Sequence, residues 1–504
     1  MIPDTPDISA KRAHLSPDAI ALEEVVTGRT LTYAQLDRRA AQAATFLSGR
    51  GVAAGDRVAI LCRNRIAFFE LLFACAKLGA ILVPLNWRMP LAELVPLVAD
   101  ATPTLLLHGI EDADVAARLG LPAVGLDEDY EGLIAAAEPG RWRSRMPGDE
   151  IWYLLYTSGT TGSPKGVIYT HWMAIANYVN VRSAIDLRAA DATPNFLPLF
   201  HTAGINLHSL PTLIAGGRVI VLPGFEEERL IGLLAARRLD TFFAVPAIYQ
   251  ALLDHPRFAA LPLDHVRHWG CGGAPLPDRL IERFRALGVR LCNGMGMTET
   301  GPTAFLVDPA DAWDRIGTVG KPQLLCDVRI VDNSGRDVPD GVEGDLLFAG
   351  PGVTPGYWRN PAETAAAFTP DRWLRSGDIA RRDADGFFYV SGRRKEMFVS
   401  GGENVFPAEV EHVLCAHPAI AEAAVIAAAD PTWGEVGRAF ILPIPGVAAL
   451  DYVELEAFCR ARLAPYKVPR RFEIVADFPR TAAGKIKKHC LAREPAPLRA
   501  IGGR

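Results

Sequence analysis

The chain carries one stretch of unusual composition, Tyr156-Thr157-Ser158-Gly159-Thr160-Thr161-Gly162-Ser163-Pro164-Lys165-Gly166. The apolar run before it, Ile151 to Leu155, is typical of a buried strand, and His171 to Arg182 after it is typical of a helix. A strand-to-helix connection is therefore predicted. Its glycines allow close approach, its backbone N–H groups can turn towards an anion, and Lys165 adds a positive charge. The pattern predicts a polyphosphate site, with an ordinary surface turn as the alternative.

The same string departs from a Walker A loop, because Gly166 rather than serine or threonine follows Lys165. It resembles instead the phosphate-binding signature of the adenylate-forming superfamily, which includes acyl-CoA synthetases, nonribosomal adenylation domains and firefly luciferase. The resemblance implies that ATP binds along this loop, through Thr157, Ser158, Gly159, Thr160, Thr161, Gly162 and Lys165.

The overall composition is that of a globular protein, with 504 residues, 49% of them hydrophobic and 22% charged. Such a length predicts several domains or subdomains. The net charge of −5 gives no general attraction to nucleic acid, so we expect no nucleic-acid partner. The first residues lack the pattern of a secretion signal, and no apolar run approaches the ~20 residues that span a bilayer. The 8 cysteines are scattered without CxxC spacing, which indicates reduced thiols and a cytoplasmic location.

Alternating strand and helix patterns predict an α/β fold whose parallel sheets are covered by helices. Residues 56–84 are predicted to form one strand, helix, strand unit. Residues 195–245 show the same alternation, with predicted strands at Asn195 to Leu199, Gly217 to Leu222 and Thr241 to Val245 and a predicted helix at Glu226 to Leu239. Ligands collect at the carboxyl ends of such strands. Short alternating strands from Asp327 to Phe348 predict a small β-rich subdomain. After Arg394, a segment of ~110 residues is long enough for a separate domain.

We therefore expect a large N-terminal domain, residues 1–394, made of two packed α/β parallel-sheet subdomains and the β-rich subdomain. A small α+β C-terminal domain, residues 395–504, follows it, and the resemblance implies that this domain is mobile. Lys395 matches the hinge position about which the family's C-terminal domain rotates between half-reactions. A charged side chain tolerates large φ/ψ changes at an exposed linker, although plain solvated surface is the alternative.

A hairpin is predicted at Asp385-Gly386, a strong turn signal between two strand-like runs. If these two residues form the loop, Ala384 opposes Phe387, and counting outward places Asp378 opposite Arg393. Residues so paired have Cβ atoms ~4.5–5.5 Å apart, so a carboxylate and a guanidinium share one patch. A simple cross-strand ion pair is the alternative. The resemblance implies that Asp378 accepts hydrogen bonds from both ribose hydroxyls and that Arg393 contacts the nucleotide.

Residues 293–299 resemble the family's adenine and magnesium segment. The hydroxyl of Thr298 can donate to a phosphate, and the carboxylate of Glu299 can hold Mg²⁺ against it. The family usually places an aromatic ring where this chain has Met295, whose thioether stacks less rigidly on a purine. Residues 272–275 resemble the stretch along the other face of adenine. The implied nucleotide contacts are Asn293, Gly294, Met295, Gly296, Thr298, Gly273, Ala274 and Pro275.

A basic loop near the C-terminus, residues 479–488, matches the family's catalytic lysine loop and places Lys485 at the catalytic position. A carboxylate must attack a phosphate that is also anionic, and a cation that bridges the two removes their repulsion. We therefore assign Lys485, Thr298, Glu299 and Lys165 as catalytic candidates, with Lys485 also contacting the nucleotide. An ordinary solvated basic run is the alternative for Lys485.

The remaining candidate residues are those that would border the carboxylic acid and those that would contact coenzyme A. Residues 197–204 match the segment whose aromatic member, here His201, borders the acyl channel, although a lone histidine is more often structural. Gly401 and Gly402 resemble the loop that lines the pantetheine tunnel, and Trp433 resembles a tryptophan that stacks on the CoA adenine. Arg88 is a weaker candidate for a CoA phosphate. The implied acyl pocket comprises His201, Ala203, Gly204, Gly272, Gly273 and Met297.

The resemblance extends from about Leu31 to Lys488, with its motifs in the family's order. It implies an acyl-CoA ligase that uses ATP, Mg²⁺ and coenzyme A on a monocarboxylic acid, either fatty or aryl. The oligomeric state stays open, with a homodimer as one candidate. Two alternatives stay open: loading of a carrier-protein thiol, and a nucleotide-binding homologue with impaired catalysis. Met295 motivates the second, whereas Glu299 and Lys485 argue against it.

Overall fold

The computed structural model describes residues 3–158, 164–444, 446–447, 450–480 and 486–491. The first α/β subdomain contains a six-stranded sheet in the order Pro164–Thr170, Ile151–Ser158, Ile81–Pro84, Arg57–Leu61, Leu105–His108, Ala123–Gly125. Its first two strands are antiparallel, and the others are parallel. A small sheet pairs Thr5–Pro6 with Arg145–Met146.

Both faces of this sheet are buried, as its continuous apolar strands predict. Successive side chains point to opposite faces, so Val58 and Ile60 pack in the core that contains the helix Ile66–Leu78, whereas Ala59 and Leu61 pack with the helix Leu91–Ala101. The predicted strand, helix, strand unit over residues 56–84 is confirmed by Arg57–Leu61, Ile66–Leu78 and Ile81–Pro84.

The second subdomain joins two sheets. One has the strand order Ala192–Asn195, Arg218–Val221, Ile20–Glu24, Thr30–Thr32, and the other has the order Thr241–Ala244, His268–Cys271, Leu291–Met295, Phe305–Leu306, Lys321–Pro322. The backbone N–H of Asp240 donates to the carbonyl of Ala192 at 2.9 Å and ties the sheets together. The first three strands of each sheet are parallel, so their carboxyl ends share an edge.

The predicted strand Asn195 to Leu199 is wrong, because the observed strand is Ala192–Asn195. Residues 196–199 are apolar but leave the sheet. The side chain of Asn64 binds their backbone instead, donating to the carbonyl of Leu197 at 2.8 Å and accepting from the N–H of Leu199 at 3.1 Å. The predicted helix Glu226 to Leu239 is shorter than expected and spans Glu227–Ala235.

The predicted strand-to-helix connection is also wrong. A second strand, Pro164–Thr170, runs antiparallel to Ile151–Ser158 before the helix begins at His171. Val167 and Tyr169 are fully buried on one face of this strand. This alternation of buried and less buried side chains is too short to be distinguished, from the sequence alone, from the first turn of a helix. The glycine-rich stretch therefore joins the two strands of a hairpin.

The β-rich subdomain is an antiparallel sheet of Asp327–Val331, Gly344–Ala349, Leu374–Arg382 and Phe388–Arg393. Asp378 lies opposite Arg393, which confirms that pairing. The predicted loop is wrong, because the N–H of Asp383 donates to the carbonyl of Phe387 at 2.9 Å and the loop includes Ala384. A bulge near Ile379 then shifts the register back. The two errors cancel at Asp378 and Arg393.

The C-terminal segment forms a mixed sheet in the order Glu403–Val405, Phe398–Ser400, Gly434–Pro443, Ile420–Asp430, and Arg471–Ile474 pairs with Gly434–Pro443 in parallel. It has its own apolar core. Polar contacts connect it to the helix Asp278–Ala286: Arg279 donates to the carbonyls of Ile420 at 2.6 Å and Ala421 at 3.0 Å, and His412 lies 3.2 Å from Asp278.

The described α-helices cover the sheet faces and fill the connections between strands. None of them combines the length and the apolar character that crossing a membrane requires. They are Ile8–Leu15, Tyr33–Gly49, Ile66–Leu78, Leu91–Ala101, Ala113–Leu119, Tyr130–Ala136, His171–Ile185, Ser209–Ala215, Glu227–Ala235, Pro246–Asp254, Asp278–Ala286, Pro361–Ala367, Pro407–Cys415, Tyr452–Arg460 and Lys488–Leu491.

Candidate active site

The candidate phosphate loop lies at the carboxyl end of the strand Ile151–Ser158, where Thr157 is the register partner of Lys165. The side chain of Lys165 is mostly buried and forms an ion pair with Glu363. Its Nζ lies 5.5 Å from the centre of the Tyr357 ring. The loop residues Gly159, Thr160, Thr161 and Gly162 and the side chain of Ser158 lie outside the described part of the chain.

Tyr357 connects the lysine to the candidate metal ligand. Its hydroxyl donates to Oε1 of Glu299 at 3.0 Å, and the backbone N–H of Thr354 donates to the carbonyl of Glu299 at 2.8 Å. Burial raises the pKa of Tyr357, and the negative charge of Glu299 raises it further, so the phenol remains a donor. The side chains of Lys165, Tyr357 and Glu299 therefore form one continuous unit.

Sequence reasoning missed Tyr357 and Glu363. They lie in a loop and a short helix that the fold brings to the hairpin: the N–H of Trp358 donates to the carbonyl of Gly166 at 2.7 Å, and the N–H of Ile168 donates to that of Gly356 at 3.1 Å. Such long-range pairing leaves no local periodicity. The sequence does show an aromatic pair, Tyr357-Trp358, after Gly356, but this pattern by itself is insufficient to predict a functional residue.

The residues around Glu299 fit a magnesium ion that is shared with phosphate. Glu299 is only 8% exposed and Thr298, with its hydroxyl, precedes it in a short 3₁₀ turn, Thr298–Thr300. Within the described ranges, no group of three or more His, Cys, Asp or Glu side chains could hold a metal. Mg²⁺ commonly uses one or two carboxylates together with substrate phosphates and waters, so a single glutamate is compatible with it.

The two candidate adenine segments lie side by side. Cys271, just before Gly272, is the register partner of Asn293 on the adjacent parallel strand. A Cβ atom at Gly272 would lie 2.8 Å from the carbonyl oxygen of Gly294, so the two backbones approach closely. At Gly296 a Cβ atom would lie 1.5 Å from the carbonyl oxygen of Pro302, which leaves room for glycine alone. The glycines therefore allow these segments to pack.

Met295 lies at the end of its strand, opposite Phe305. It packs against an apolar cluster that includes Phe305, Phe348 and Phe388. The aromatic rings of Phe305 and Phe388 have centres 4.9 Å apart. A rigid apolar base therefore supports the flexible thioether from one side.

The Asp378–Arg393 pair is a direct salt bridge, with Nε of Arg393 2.9 Å from Oδ1 of Asp378. Asp378 is buried, whereas the side chain of Arg393 is 39% exposed. The hydroxyl of Ser376 accepts from the N–H of Asp378 at 2.9 Å, and Arg393 donates to the carbonyl of Ser376 at 2.9 Å. These bonds fix the carboxylate in one position.

Lys395 follows this strand in a short turn, Arg394–Glu396. Burial lowers the pKa of Lys395, and the nearby positive charges of Arg393 and Lys165 lower it further. The candidate hinge therefore lies within the electrostatic reach of both the phosphate-loop lysine and the ribose-site arginine. Lys485 lies outside the described residues.

The candidate acyl segment forms a π-helical turn, Ala203–Leu207, after His201. Nδ1 of His201 accepts from the N–H of Ala203 at 3.3 Å. A Cβ atom at Gly204 would lie 2.2 Å from the carbonyl oxygen of Pro198, so only glycine fits. Nδ2 of Asn195 donates to the carbonyl of Gly204 at 2.9 Å and holds this turn against the sheet.

Two buried histidines that sequence reasoning missed lie beyond this turn. The ring centres of His208 and His268 are 6.1 Å apart. Burial lowers the pKa of His208 to about 3, with a contribution from His268, and burial lowers the pKa of His268 to about 4, with a contribution from Arg267. Both imidazoles are therefore neutral at pH 7.

Because both histidines are buried and neutral, we expect the protein to lose stability in acid. Because their folded-state pKa values are depressed, the unfolded chain binds more protons below about pH 6.5, and the free energy of unfolding falls as pH decreases from there towards 4. The expected slope is at most about 1.4 kcal/mol per histidine per pH unit. Urea midpoints between pH 7.5 and 4.5 measure it. A His208→Gln/His268→Gln variant should give a shallower curve than a variant at exposed His14, and equal slopes would contradict this assignment.

The candidate CoA residues form two further groups. On the C-terminal sheet, Gly401 has φ 61°, and a Cβ atom there would lie 2.6 Å from the ring of Trp433. The N–H of Gly401 donates to the carbonyl of Trp433 at 2.9 Å. Gly402 is exposed beside them.

In the N-terminal domain, the guanidinium groups of Arg63 and Arg88 lie 4.1 and 4.8 Å from the ring centre of Trp87. Burial lowers the pKa of Arg88, and the charge of Arg63 contributes. Two cations at one tryptophan make this a local positive patch.

The family model of the AMP-binding enzyme matches residues 9–358, and that of the AMP-binding enzyme C-terminal domain matches residues 409–485. Feruloyl-CoA synthase of Amycolatopsis sp is 41% identical over 478 residues, covering 95% of this chain and 96% of that protein. Indoleacetate–CoA ligase of Aromatoleum aromaticum is 36% identical over 492 residues and covers 95% of each chain.

A solved structure supports the same family assignment. O-succinylbenzoate coenzyme A synthetase from Bacillus subtilis, in complex with ATP and magnesium ion, matches with a TM-score of 0.89 and 30% identity, covering 97% of this chain and 100% of that one. The chain therefore belongs to the AMP-binding enzyme family, in the acyl-CoA synthetase branch of the adenylate-forming superfamily, and is an AMP-forming acid–thiol ligase.

Proposed function

We propose that this enzyme converts an aromatic monocarboxylic acid of the hydroxycinnamate type into its CoA thioester. The observation that supports the chemistry is the unit of Lys165, Tyr357 and Glu299, which brings a phosphate-binding cation and a metal-binding carboxylate together. The choice of acid follows the relatives, because feruloyl-CoA synthase and indoleacetate–CoA ligase are named for acids that carry aromatic rings.

In the first half-reaction, an oxygen of the acid's carboxylate attacks the α-phosphorus of ATP. The new oxygen–phosphorus bond forms as the bond to pyrophosphate breaks, which gives the acyl-adenylate. Lys165 and the Thr157 loop bind the phosphates, and Asp378 and Arg393 orient the ribose and nucleotide. Glu299 and Thr298 would hold Mg²⁺, which neutralises phosphate charge when bound. Lys485 bridges the two reacting anions.

In the second half-reaction, the thiol of CoA attacks the acyl carbon. The carbon–sulfur bond forms, AMP leaves with the carbon–oxygen bonding electrons, and the thiol proton is lost. We assign the 394/395 junction as the domain boundary and Lys395 as the hinge. Rotation there withdraws Lys485 and presents Gly401 and Gly402 to the pantetheine arm, with Trp433 and Arg88 as contacts for the nucleotide end of CoA.

The proposal also includes a cytoplasmic location for the enzyme. Free thiols at all eight cysteines support a reducing cytoplasm. Assembly as a homodimer is a prediction, and light scattering of the purified chain measures it.

The function is tested by measuring AMP formation with CoA across acetate, hexanoate, dodecanoate, benzoate, 4-hydroxycinnamate and ferulate. We expect the highest kcat/KM with the hydroxycinnamates. Pyrophosphate release without CoA isolates the first half-reaction. AMP formation that depends strictly on a carrier protein, or intact ATP with every acid, would reject the proposal.

A related prediction concerns the ion pair between Lys165 and Glu363. An incoming phosphate must compete with the carboxylate of Glu363, whose side chain is 33% exposed. Partly exposed pairs are worth ~0.2–1 kcal/mol, so Glu363→Gln should lower KM for ATP about two- to fivefold while kcat stays the same. Steady-state kinetics measure both constants. The control is Asp371→Asn, which removes an exposed carboxylate near Arg329. An increase in KM would mean that Glu363 positions the lysine for ATP.

A further inference from the structure

The candidate acyl segment adjoins a small, partly open cavity. A cavity of about 10 Å³ lies between the turn Ala203–Leu207 and the ring of Phe243, and such a volume is enough for one water molecule. Its wall combines polar side chains, among them Asn195, His208 and Ser209, with apolar ones, among them Ala203 and Phe243. Ala203 belongs to the candidate acyl segment, so this cavity continues the pocket.

The floor of the pocket follows one face of the strand His268–Cys271. Side chains at positions 268, 270 and 272 lie on the same face of this strand. Gly270 and Gly272 leave space there, and the ring of Phe243 fills it: Cβ atoms at these glycines would lie 2.7 and 3.3 Å from the ring. His268, further along that face, is 2% exposed. The two glycines therefore leave room for one aromatic ring, which Phe243 fills here, and His268 lies next to that space on the same face of the strand.

Phe243 is suited to move. It is only partly buried, near the carboxyl end of the strand Thr241–Ala244, and its ring touches His208 edge to face with centres 5.7 Å apart. A substrate ring can occupy the space over Gly270 and Gly272 only if the ring of Phe243 rotates about its side-chain bonds and vacates that space. His208 is then one of the polar groups, with Asn195 and Ser209, that line the cavity which the distal end of the acid would enter.

Behind His208 lies a set of polar groups that are buried away from solvent. Nδ1 of His208 is 3.4 Å from the hydroxyl of Thr193. Among the described residues, the hydroxyls of Thr212 and Thr241 and Nδ1 of His268 are buried without a hydrogen-bond partner. Thr241 is the register partner of His268. An entirely apolar acyl chain would leave these polar groups without a partner, so it is a poor match for this end of the pocket.

We propose that His208 is a specificity-determining residue, which hydrogen-bonds a hydroxyl group on the substrate's aromatic ring at the end distal to the carboxylate. In the tautomer whose Nδ1–H donates to the hydroxyl of Thr193, Nε2 is the atom that accepts from the substrate hydroxyl. This inference rests on the proposed function and specifies its substrate class: a ring acid with a distal hydroxyl, rather than an unbranched fatty acid. A neutral imidazole also provides no positive charge for a second carboxylate, so dicarboxylic acids are disfavoured.

The test compares acids that differ only at the distal position. For the wild-type enzyme, we expect kcat/KM for 4-hydroxycinnamate to exceed that for cinnamate and 4-methoxycinnamate by about 10- to 100-fold, since a site built for a hydroxyl rejects analogues that lack the donor. His208→Leu should reduce this ratio to about one, and His208→Gln, which can still accept a hydrogen bond, should retain part of it. The same substitution at exposed His14 serves as the control and should leave the ratio unchanged.

The ratio of two acids on one enzyme is insensitive to a general loss of folded protein. If His208→Leu does not fold, the wild-type ratio and His208→Gln decide the question. A wild-type ratio near one, or a ratio that survives His208→Leu, overturns the role of His208 while the ligase function stands. Absence of AMP formation with all of these acids instead rejects the proposed function itself.

Discussion

Substitution of Lys485 by alanine is expected to slow acyl-adenylate formation by about 10²–10³-fold, because a cation is lost where two anions must approach. Thioester formation from a supplied acyl-adenylate should remain close to the wild-type rate, since that step has no phosphate under attack. Pyrophosphate release measures the first half-reaction, and consumption of synthetic acyl-adenylate with CoA measures the second.

Lys487→Ala is the matched control, as it removes a positive charge two positions further along the same basic segment. We expect it to affect both half-reactions by less than about threefold, like other surface substitutions. Equal losses in both half-reactions for Lys485→Ala, or equal effects of the two alanines, would contradict a dedicated catalytic lysine.

Glu299→Gln is expected to lower kcat/KM for adenylate formation by about 10²–10³-fold and to raise the magnesium concentration required for half-maximal activity. The amide has nearly the same shape and can still accept the hydrogen bond that Tyr357 donates at 3.0 Å, so the substitution removes mainly the charge. Initial rates over a magnesium titration measure both effects.

Tyr357→Phe provides the complementary change, since it keeps the carboxylate and removes the hydrogen bond. The loss of one hydrogen bond to a charged group corresponds to ~1.5–3 kcal/mol, or roughly 10- to 150-fold in adenylate formation. The magnesium requirement should shift less than in Glu299→Gln. If both variants respond to magnesium identically, Glu299 acts through the tyrosine rather than on the metal.

Local patterns predicted the elements whose periodicity is long and regular. The parallel strands Arg57–Leu61 and Ile81–Pro84 and the helix between them were correct, because continuous apolar runs and a 3.6-residue period are both strong signals. The extra strand Pro164–Thr170 was missed, because it forms by pairing with the preceding strand and its own composition does not mark it as a strand. Residues 196–199 were misassigned because Asn64, far away in sequence, binds their backbone.

The positions of candidate residues relative to one another could be predicted where they lie within one hairpin. Asp378 and Arg393 were paired correctly, although two compensating register errors contributed to that success. Tyr357, Glu363 and His208 could not be found in this way, because each contacts a partner that is distant in the chain. These partners are Glu299, Lys165 and His268. Side-chain networks of this kind depend on tertiary packing.

The junction between the small C-terminal sheet and the helix Asp278–Ala286 depends on Arg279, which donates to two carbonyl groups, and on the pair of His412 with Asp278. Water can satisfy the same donors and acceptors when they separate. The proposed rotation about Lys395 would therefore exchange one set of hydrogen bonds for another. If the proposed domain rotation takes place, the difference in affinity of substrates and products for the two orientations would set their populations, and the reaction cycle itself would drive the movement.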